Sequence, residues 1–285
     1  MNPRMIVAAV GALAAAATCA CADVKLFLPS RDNTLYQSTS GDLSNGHGEV
    51  MFAGTTAVGF FKRGLIKFDI SEIPAGSTIT GVTLSLHLST TISADVPVSL
   101  HRALADWGEA ASDAGLPGGQ GAIAEPGDAT WLHRFYDQTL WSGPGGVAGV
   151  DYTQVPSATT AVGAPLVYYT WASTPELVSD VQAWLNAPAS NFGWFIIGDE
   201  TVNATAKRFD TRENPDPSVR PVLIVTYAPP CYADCDAVGG LTGNDFQCFL
   251  DAFVAGDSKA DCDGLGGLTA NDFQCFLDMF VAGCS

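Results

Sequence analysis

The chain has 285 residues, of which 13 are basic and 30 acidic, so its formal net charge is −17. Binding to nucleic acid or to an anionic membrane needs clustered lysine and arginine, and this balance excludes both classes of partner. At about 100–200 residues per domain, the length allows one large and one small domain.

The first 22 residues have the pattern of a secretory signal peptide. Residues 5–17 form an apolar run that is too short to span a bilayer, and residues 20–22 form a small-x-small cleavage site. We therefore expect cleavage before Asp23 and an exported protein, secreted or at the cell surface, with no transmembrane segment. A lipid anchor on Cys19 or Cys21 is the alternative.

Residues 23–227 predict a mainly β domain. Thr83–Leu88 alternates apolar and polar side chains as a half-buried strand does. One helix is predicted, with Thr174 as its cap and Pro175 at its first position. We therefore expect an antiparallel β-sandwich of the jelly-roll type with one helix. The predicted strands are Val24–Leu28, Leu65–Asp69, Ile79–Leu88, Val96–His101, Phe192–Ile197 and Val222–Tyr227.

Short motifs recur in order along this domain. They are Arg31–Tyr36, Ser44–Gly46, Phe52–Gly54, Arg63–Asp69, Ile73–Gly76, Val181–Asn186, Asn191–Trp194, Ala206–Asp210 and Arg212–Glu213. Together they resemble the DNRLRE domain, a group that includes carbohydrate-binding module family 96. The resemblance implies a β-sandwich that binds polysaccharide without cutting it, including acidic polymers in some relatives. The domain's net charge of −10 does not favour a polyanion unless its bases cluster.

The glycine-rich segment 106–171 contains several aromatic residues that could stack on sugar rings. Trp107, Trp131 and Trp141 are the candidate ligand-binding aromatics. Burial of these rings in the core is the alternative.

Basic residues near the end of the domain, together with one earlier arginine, are candidate polar contacts to a ligand. Arg208 and Arg212 lie beside Lys207 and Glu213, and we expect Arg63 to lie near them in space. Internal ion pairs that close the last strands are the alternative.

Signatures of catalysis are scarce. The domain has no H-E-x-x-H or G-x-S-x-G motif, and its tight acidic clusters are Asp106/Glu109 and Asp199/Glu200. A carboxylate pair that cleaves glycosides is the alternative. We expect a protein that is not an enzyme.

A sharp boundary follows at residues 228–230, a short linker that ends in two prolines. All six cysteines beyond the signal peptide lie in 231–285, and an even number in a short exported segment is typical of a disulfide framework.

The C-terminal segment is a tandem repeat. Residues 233–257 and 260–284 align without gaps at a period of 27, with 20 of 25 positions identical. Each repeat resembles the loop and second helix of an EF-hand, whose calcium ligands stand at loop positions 1, 3, 5, 7 and 12. The candidate metal ligands are Asp234, Asp236, Gly240 and Asp245 in the first repeat and Asp261, Asp263, Gly267 and Asp272 in the second.

Two features qualify the calcium prediction. Position 5 is Val238 or Leu265, neither of which can ligate, so we expect weakened calcium binding. The last aspartate of each loop also fits a helix capping box with the threonine three residues before it. Capping explains only that one position of each loop.

The cysteines repeat as well. Pairs within a repeat, Cys235–Cys248 and Cys262–Cys275, are the simplest arrangement. Cys231 and Cys284 have no repeat mates, and a bridge between them would clasp the ends of the module. The sequence alone permits 15 connectivities.

The duplicated Asp-Cys-Asp loop, the Asp-Phe-x-Cys-Phe helix and the terminal Ala-Gly-Cys of 231–285 resemble a bacterial GC-type dockerin module. The resemblance implies a docking tag that binds a cohesin-like receptor and anchors what precedes it. A disulfide knot without a partner is the alternative.

The combined expectation is an exported, non-catalytic polysaccharide-binding protein that docks through its C-terminus. A structural or adhesive surface protein without glycan binding is the first alternative. An ancillary subunit of a polysaccharide-degrading enzyme is the second.

Overall fold

The computed structural model describes residues 22–238 and 240–283. Within this range the chain divides into two compact units, one ending at Pro230 and one beginning at Cys231. The predicted signal peptide lies outside the described residues, apart from Ala22. No helix of the two described ranges combines the length and hydrophobicity that crossing a bilayer requires.

The first unit is mainly β, as the sequence predicts. Its strands are β1 Asp23–Phe27, β2 Pro29–Tyr36, β3 Leu43–Ser44, β4 Val50–Thr55, β5 Phe61–Phe68, β6 Thr78–Thr91, β7 Val96–Arg102, β8 Ala122–Ile123, β9 His133–Phe135, β10 Thr139–Leu140, β11 Ala158–Val162, β12 Val167–Trp171, β13 Trp194–Ile197, β14 Lys207–Asp210 and β15 Val222–Ala228.

Eleven of these strands form one large, curled antiparallel sheet. Its main path runs β1-β15-β6-β14-β4-β5-β13-β7-β11, with β12 added to β6 and β2 added to β5. Strand β4 joins the two halves, because Val50–Ala53 pairs with β14 whereas Gly54 and Thr55 pair with β5. At this junction Gly54 has φ +109°, and a Cβ there would lie 2.9 Å from the carbonyl oxygen of Thr205, so the position requires glycine.

The main core contains residues from both halves of the sheet. Leu84 and Leu86 of β6, Ile66 of β5 and Trp194 of β13 are fully buried in one apolar cluster. Residues on one face of a strand alternate with those on the other. The neighbours Leu65 and Phe195 therefore belong to a second cluster on the opposite face.

The segment between β7 and β11 covers this second face. It supplies Trp107, Trp131, Trp141 and Tyr152 to the second cluster. Strand β13 is therefore covered on both faces, which explains why Trp194–Ile197 is apolar without interruption.

One α-helix packs on the main core. Helix α1 spans Pro175–Asn186, and the Thr174 side chain accepts the Leu177 N–H as the predicted cap. Leu177, Val181 and Trp184 form its buried face. The short 3₁₀ helices of the first unit are Pro188–Ser190 and Pro217–Val219.

The second unit contains two α-helices, α2 Gly243–Ala255 and α3 Ala270–Ala282, and a 3₁₀ turn at Ser258–Ala260. Phe249 and Phe276 occupy equivalent positions in the two repeats, and their rings stack with centroids 4.1 Å apart and planes at 10°. Both rings are buried and form the centre of a small core.

Candidate functional sites

Each repeat of the second unit brings three carboxylates together just before its helix. One oxygen from each member of a set lies within 4.8 Å of the others. The first set is Asp234, Asp236 and Asp245, and the second is Asp261, Asp263 and Asp272. These are the six carboxylates that the sequence predicts as metal ligands.

The last aspartate of each set organises its loop. Oδ2 of Asp245 accepts the N–H of Thr242 at 2.7 Å and its hydroxyl at 3.1 Å, and Oδ1 accepts the N–H of Asp236 at 3.1 Å. The same bonds at Asp272 measure 2.7, 3.1 and 3.2 Å. The N–H of Thr269 is the main reason why the pKa of Asp272 falls to about 2. Burial opposes this shift at Asp245, but its hydrogen bonds also bring that pKa to about 2.

Both helices begin with the predicted capping box. The last aspartate of each loop and the threonine three residues earlier exchange side-chain and backbone bonds. Capping therefore accounts for that aspartate, and it accounts for neither of the other two carboxylates in a set.

The first aspartate of each loop has no such explanation. Oδ1 of Asp234 and Oδ1 of Asp261 are shielded from solvent, and neither has a hydrogen-bond partner within the described residues. Burial and the neighbouring Asp245 raise the pKa of Asp234. A buried carboxylate oxygen without a partner is costly unless a cation binds it. Because calcium takes about six to eight oxygen ligands, mostly carboxylate and carbonyl, the donor set fits a hard divalent cation.

Loop position 5 contributes only its backbone. The side chains of Val238 and Leu265 are 68% and 82% exposed. Their N–H groups donate to Asp236 Oδ1 at 2.9 Å and Asp263 Oδ1 at 3.0 Å, which closes each loop. Each loop therefore offers fewer side-chain ligands than a full EF-hand loop, and weakened calcium binding stays a prediction.

The glycines at loop position 7 are required by the backbone. Gly240 has φ +76° and Gly267 has φ +87°, and a Cβ at either would meet nothing within 4 Å. Their conformation, rather than a lack of space, selects glycine. Their carbonyl oxygens remain predicted cation ligands, and Gly239 lies outside the described residues.

One disulfide in each repeat ties the loop to the helix that follows it. Cys235 bonds Cys248 and Cys262 bonds Cys275, with Cα separations of 5.8 and 5.9 Å, which confirms the predicted pairs within each repeat. Cys235 stands between two aspartates of its set, so this bond fixes the loop against α2. The predicted bridge from Cys231 to Cys284 involves a residue outside the described ranges.

The three tryptophans predicted to bind sugar lie in the core instead. Trp107, Trp131 and Trp141 are 0%, 6% and 4% exposed. Trp107 Nε1 donates to the Phe192 carbonyl at 2.8 Å, and Trp141 Nε1 donates to the Thr130 carbonyl at 3.0 Å. A buried indole offers no free face to a sugar. The structure therefore corrects the assignment of these rings to a ligand site.

Arg63 is part of an internal ion pair. Its Nε and Nη2 each lie 2.7 Å from a carboxylate oxygen of Glu200, and Nη1 donates to the Gly145 carbonyl at 2.9 Å. The guanidinium also lies 5.4 Å from the Trp131 ring centroid. This geometry corresponds to the internal-pair alternative and fixes the covering segment to β5.

Arg212 lies in a second, separate cluster of charges. Nη2 contacts Glu109 Oε2 and lies 2.8 Å from Glu213 Oε1, and the Arg212 N–H donates to Asp32 Oδ2 at 3.0 Å. Asp32 is fully buried, and neither its Oδ1 nor Oε2 of Glu213 has a hydrogen-bond partner within the described part. Burial is the main reason why the pKa of Asp32 lies well above its usual range, and the negative charge of Glu213 adds to the effect. The contacts of Arg212 are therefore internal. Arg208, the other candidate arginine of this region, donates from Nε to Ser89 Oγ at 3.0 Å.

A further site was missed in the sequence. Lys62 is 6% exposed and lines a cavity of about 450 Å³ together with Tyr36 and Phe60. The lysine itself gives no indication of burial in the sequence. The one available indication is the strand alternation, which places Lys62 on the same side of β5 as Gly64 and Ile66.

Comparison with known proteins gives no family model that matches the chain and no match among curated proteins. Functional conclusions therefore rest on the residues and geometry of these sites.

Proposed function

We propose that the C-terminal unit is a calcium-binding, dockerin-like module with two EF-hand-type loops. The observation that carries this proposal is the buried, unpartnered Oδ1 of Asp234, which recurs at the equivalent position of the second repeat, Asp261. A capped helix start needs no such oxygen, whereas a cation site does. Each loop would bind one Ca²⁺ through its three aspartates and the carbonyl at position 7.

The docking role has separate support. Val254 and Val281 are repeat equivalents at the ends of α2 and α3, and they are 85% and 84% exposed. Because these exposed valines occupy equivalent positions, a partner protein could make the same apolar contact with either repeat. We propose a cohesin-like receptor protein as that partner.

We propose that the first unit is a non-catalytic jelly-roll sandwich that holds a polysaccharide outside the cell. One apolar cluster draws on both halves of the sheet, which supports two layers facing each other. The ion pairs of Glu200 with Arg63 and of Glu109 with Arg212 support a non-catalytic role, because one glutamate of each tight acidic cluster is engaged in an internal contact. Burial of the three tryptophans favours the second candidate, a structural or adhesive domain without glycan binding.

Calcium-dependent stability tests the proposed module. We expect calcium to raise the unfolding temperature of the intact protein's C-terminal transition, and we expect the double variant Asp234→Asn, Asp261→Asn to lose most of this increase. The double variant Asp251→Asn, Asp278→Asn is the matched control, because among the described residues the side chain of each of these repeat-related aspartates hydrogen-bonds only to a glutamine one turn earlier. An equal response to calcium in both variants would refute the site.

Affinity electrophoresis of the intact protein through gels that contain alginate or neutral glucans tests the first unit. Retardation in one gel supports polysaccharide binding. Unchanged mobility in every gel supports the structural or adhesive candidate.

A further inference from the structure

Lys62 is a buried cation that has no acidic partner among the described residues. Its domain has 21 acidic and 11 basic residues. Even so, within residues 22–238 and 240–283 no aspartate or glutamate forms an ion pair with Lys62. The side chain is 6% exposed. Buried lysines are normally paired with a carboxylate, so this one is an exception that needs a physical reason.

The groups around the amine compensate its charge only in part. Nζ lies 4.2 Å from the ring centroid of Phe52 and 5.1 Å from that of Tyr36, and it donates to the Gly119 carbonyl. Ring faces and one carbonyl attract an ammonium group but do not neutralise it. Burial lowers the pKa of Lys62 to about 8, in agreement with incomplete compensation.

None of the described residues that line the cavity of Lys62 is acidic. Its walls are aromatic, aliphatic, amide and hydroxyl groups from Tyr36–Thr39, Leu43, Thr56–Val58, Phe60, Gly119 and Gln120. Phe60 is 46% exposed and forms part of an apolar wall. Three other cavities of the domain each include at least one aspartate or glutamate. The Lys62 cavity is therefore suited to an anion in a protein that otherwise repels anions.

We propose that this cavity binds a carboxylate carried on a six-membered ring, with the carboxylate against Lys62 and the ring against the exposed Phe60. An aromatic acid and a sugar acid share this chemistry. A sugar acid would connect the site with the proposed polysaccharide binding, whereas a free aromatic acid would not. The two proposals can therefore fail separately.

Calorimetric titration of the intact protein with benzoate and with glucuronate tests the proposal, with benzamide as the uncharged counterpart of benzoate. We expect at least one of the acids to bind and benzamide to bind about tenfold more weakly or not at all. Lys62→Met should weaken binding by about tenfold or more, because a hydrogen-bonded charge is lost. Lys67→Met, which removes a lysine from a different cavity, should leave binding unchanged. Lack of binding by both acids, or equal binding by Lys62→Met, would overturn the site.

A second readout uses the unaltered protein, so that misfolding of a variant cannot decide the result. A bound carboxylate favours the charged amine, so saturation with the binding acid should raise the pKa of Lys62, followed by NMR of its side chain. Affinity should correspondingly fall as the pH rises through about 8. A Lys62 pKa that does not change on saturation would contradict contact between the carboxylate and the amine.

Discussion

Single buried carboxylates determine how the first unit responds to pH. Asp32 faces Glu213, Glu109 and Arg212, and His47 lies near enough to influence Glu213. Three carboxylates around one guanidinium leave an excess of negative charge, which a proton on Asp32 relieves. Asp32 therefore belongs to the group of acids whose folded pKa is raised above the unfolded value.

The sign of the pH effect follows from that shift. A carboxyl group whose pKa is raised by folding stabilises the folded state while it is protonated. This contribution is fully present below the pKa of the unfolded state, about 3.9, and is lost as the pH rises through the pKa of the folded state. Asp32→Asn keeps a neutral group of the same shape that can donate to Glu213. Between pH 5 and pH 9 in urea titrations, we expect the free energy of unfolding of the variant, relative to the original protein, to increase with pH until the folded pKa of Asp32 is passed.

Asp113→Asn is the control for this prediction, because Asp113 is exposed and its Oδ1 accepts the local Gly115 N–H. The control should keep a constant difference from the original protein across the same range. A constant difference for Asp32→Asn would mean that Asp32 is ionised in the folded domain at all these pH values.

At the scale of elements, helices α2 and α3 depend on their caps and on one pair of rings. Thr242→Ala removes the side chain that accepts the Asn244 N–H and donates to Asp245. Loss of a threonine cap costs about 1 kcal/mol. We therefore expect a lower unfolding temperature of the C-terminal transition by circular dichroism in excess calcium. An unchanged transition would show that the cap contributes nothing.

The stacked pair contributes more. Phe276 is fully buried, and truncation of a buried phenylalanine to alanine costs about 3–5 kcal/mol. Because small domains have little stability to lose, Phe276→Ala should unfold the second unit at room temperature while leaving the β unit folded. Val281→Ala, at an 84% exposed position of the same helix, should change the unfolding free energy by less than about 0.5 kcal/mol. Proteolysis of the two variants distinguishes these outcomes.

Elements built from local contacts were predictable from the sequence, and long-range contacts were not. The caps of α1, α2 and α3 and the disulfides within each repeat join residues at most 13 positions apart, so spacing alone indicates them. The burial of Trp107 depends on Phe192, 85 positions away, and the Asp32 cluster depends on Arg212, 180 positions away. No periodicity records such pairings, and for this reason the sequence alone does not distinguish tryptophans of the core from tryptophans of a ligand site.

For the molecule as a whole, the distribution of charge bears on the cation sites proposed for the second unit. Nine acids and one base lie in the last 55 residues. Without a cation these charges repel one another, and salt screens that repulsion over about 10 Å at 0.1 M. In a chelator, sodium chloride should therefore raise the unfolding temperature of the C-terminal transition. In excess calcium the same salt should have a smaller effect, and equal effects in both conditions would argue against bound calcium.

Calorimetric titration of the chelated, intact protein with calcium tests the central claim most directly. The two repeated sets of aspartates predict a stoichiometry of two ions for the original protein, and of one ion for either Asp234→Asn or Asp261→Asn. Asp251→Asn should still bind two. The absence of calcium-specific heat in the original protein, or two ions in every variant, would contradict the assignment of these loops as cation sites.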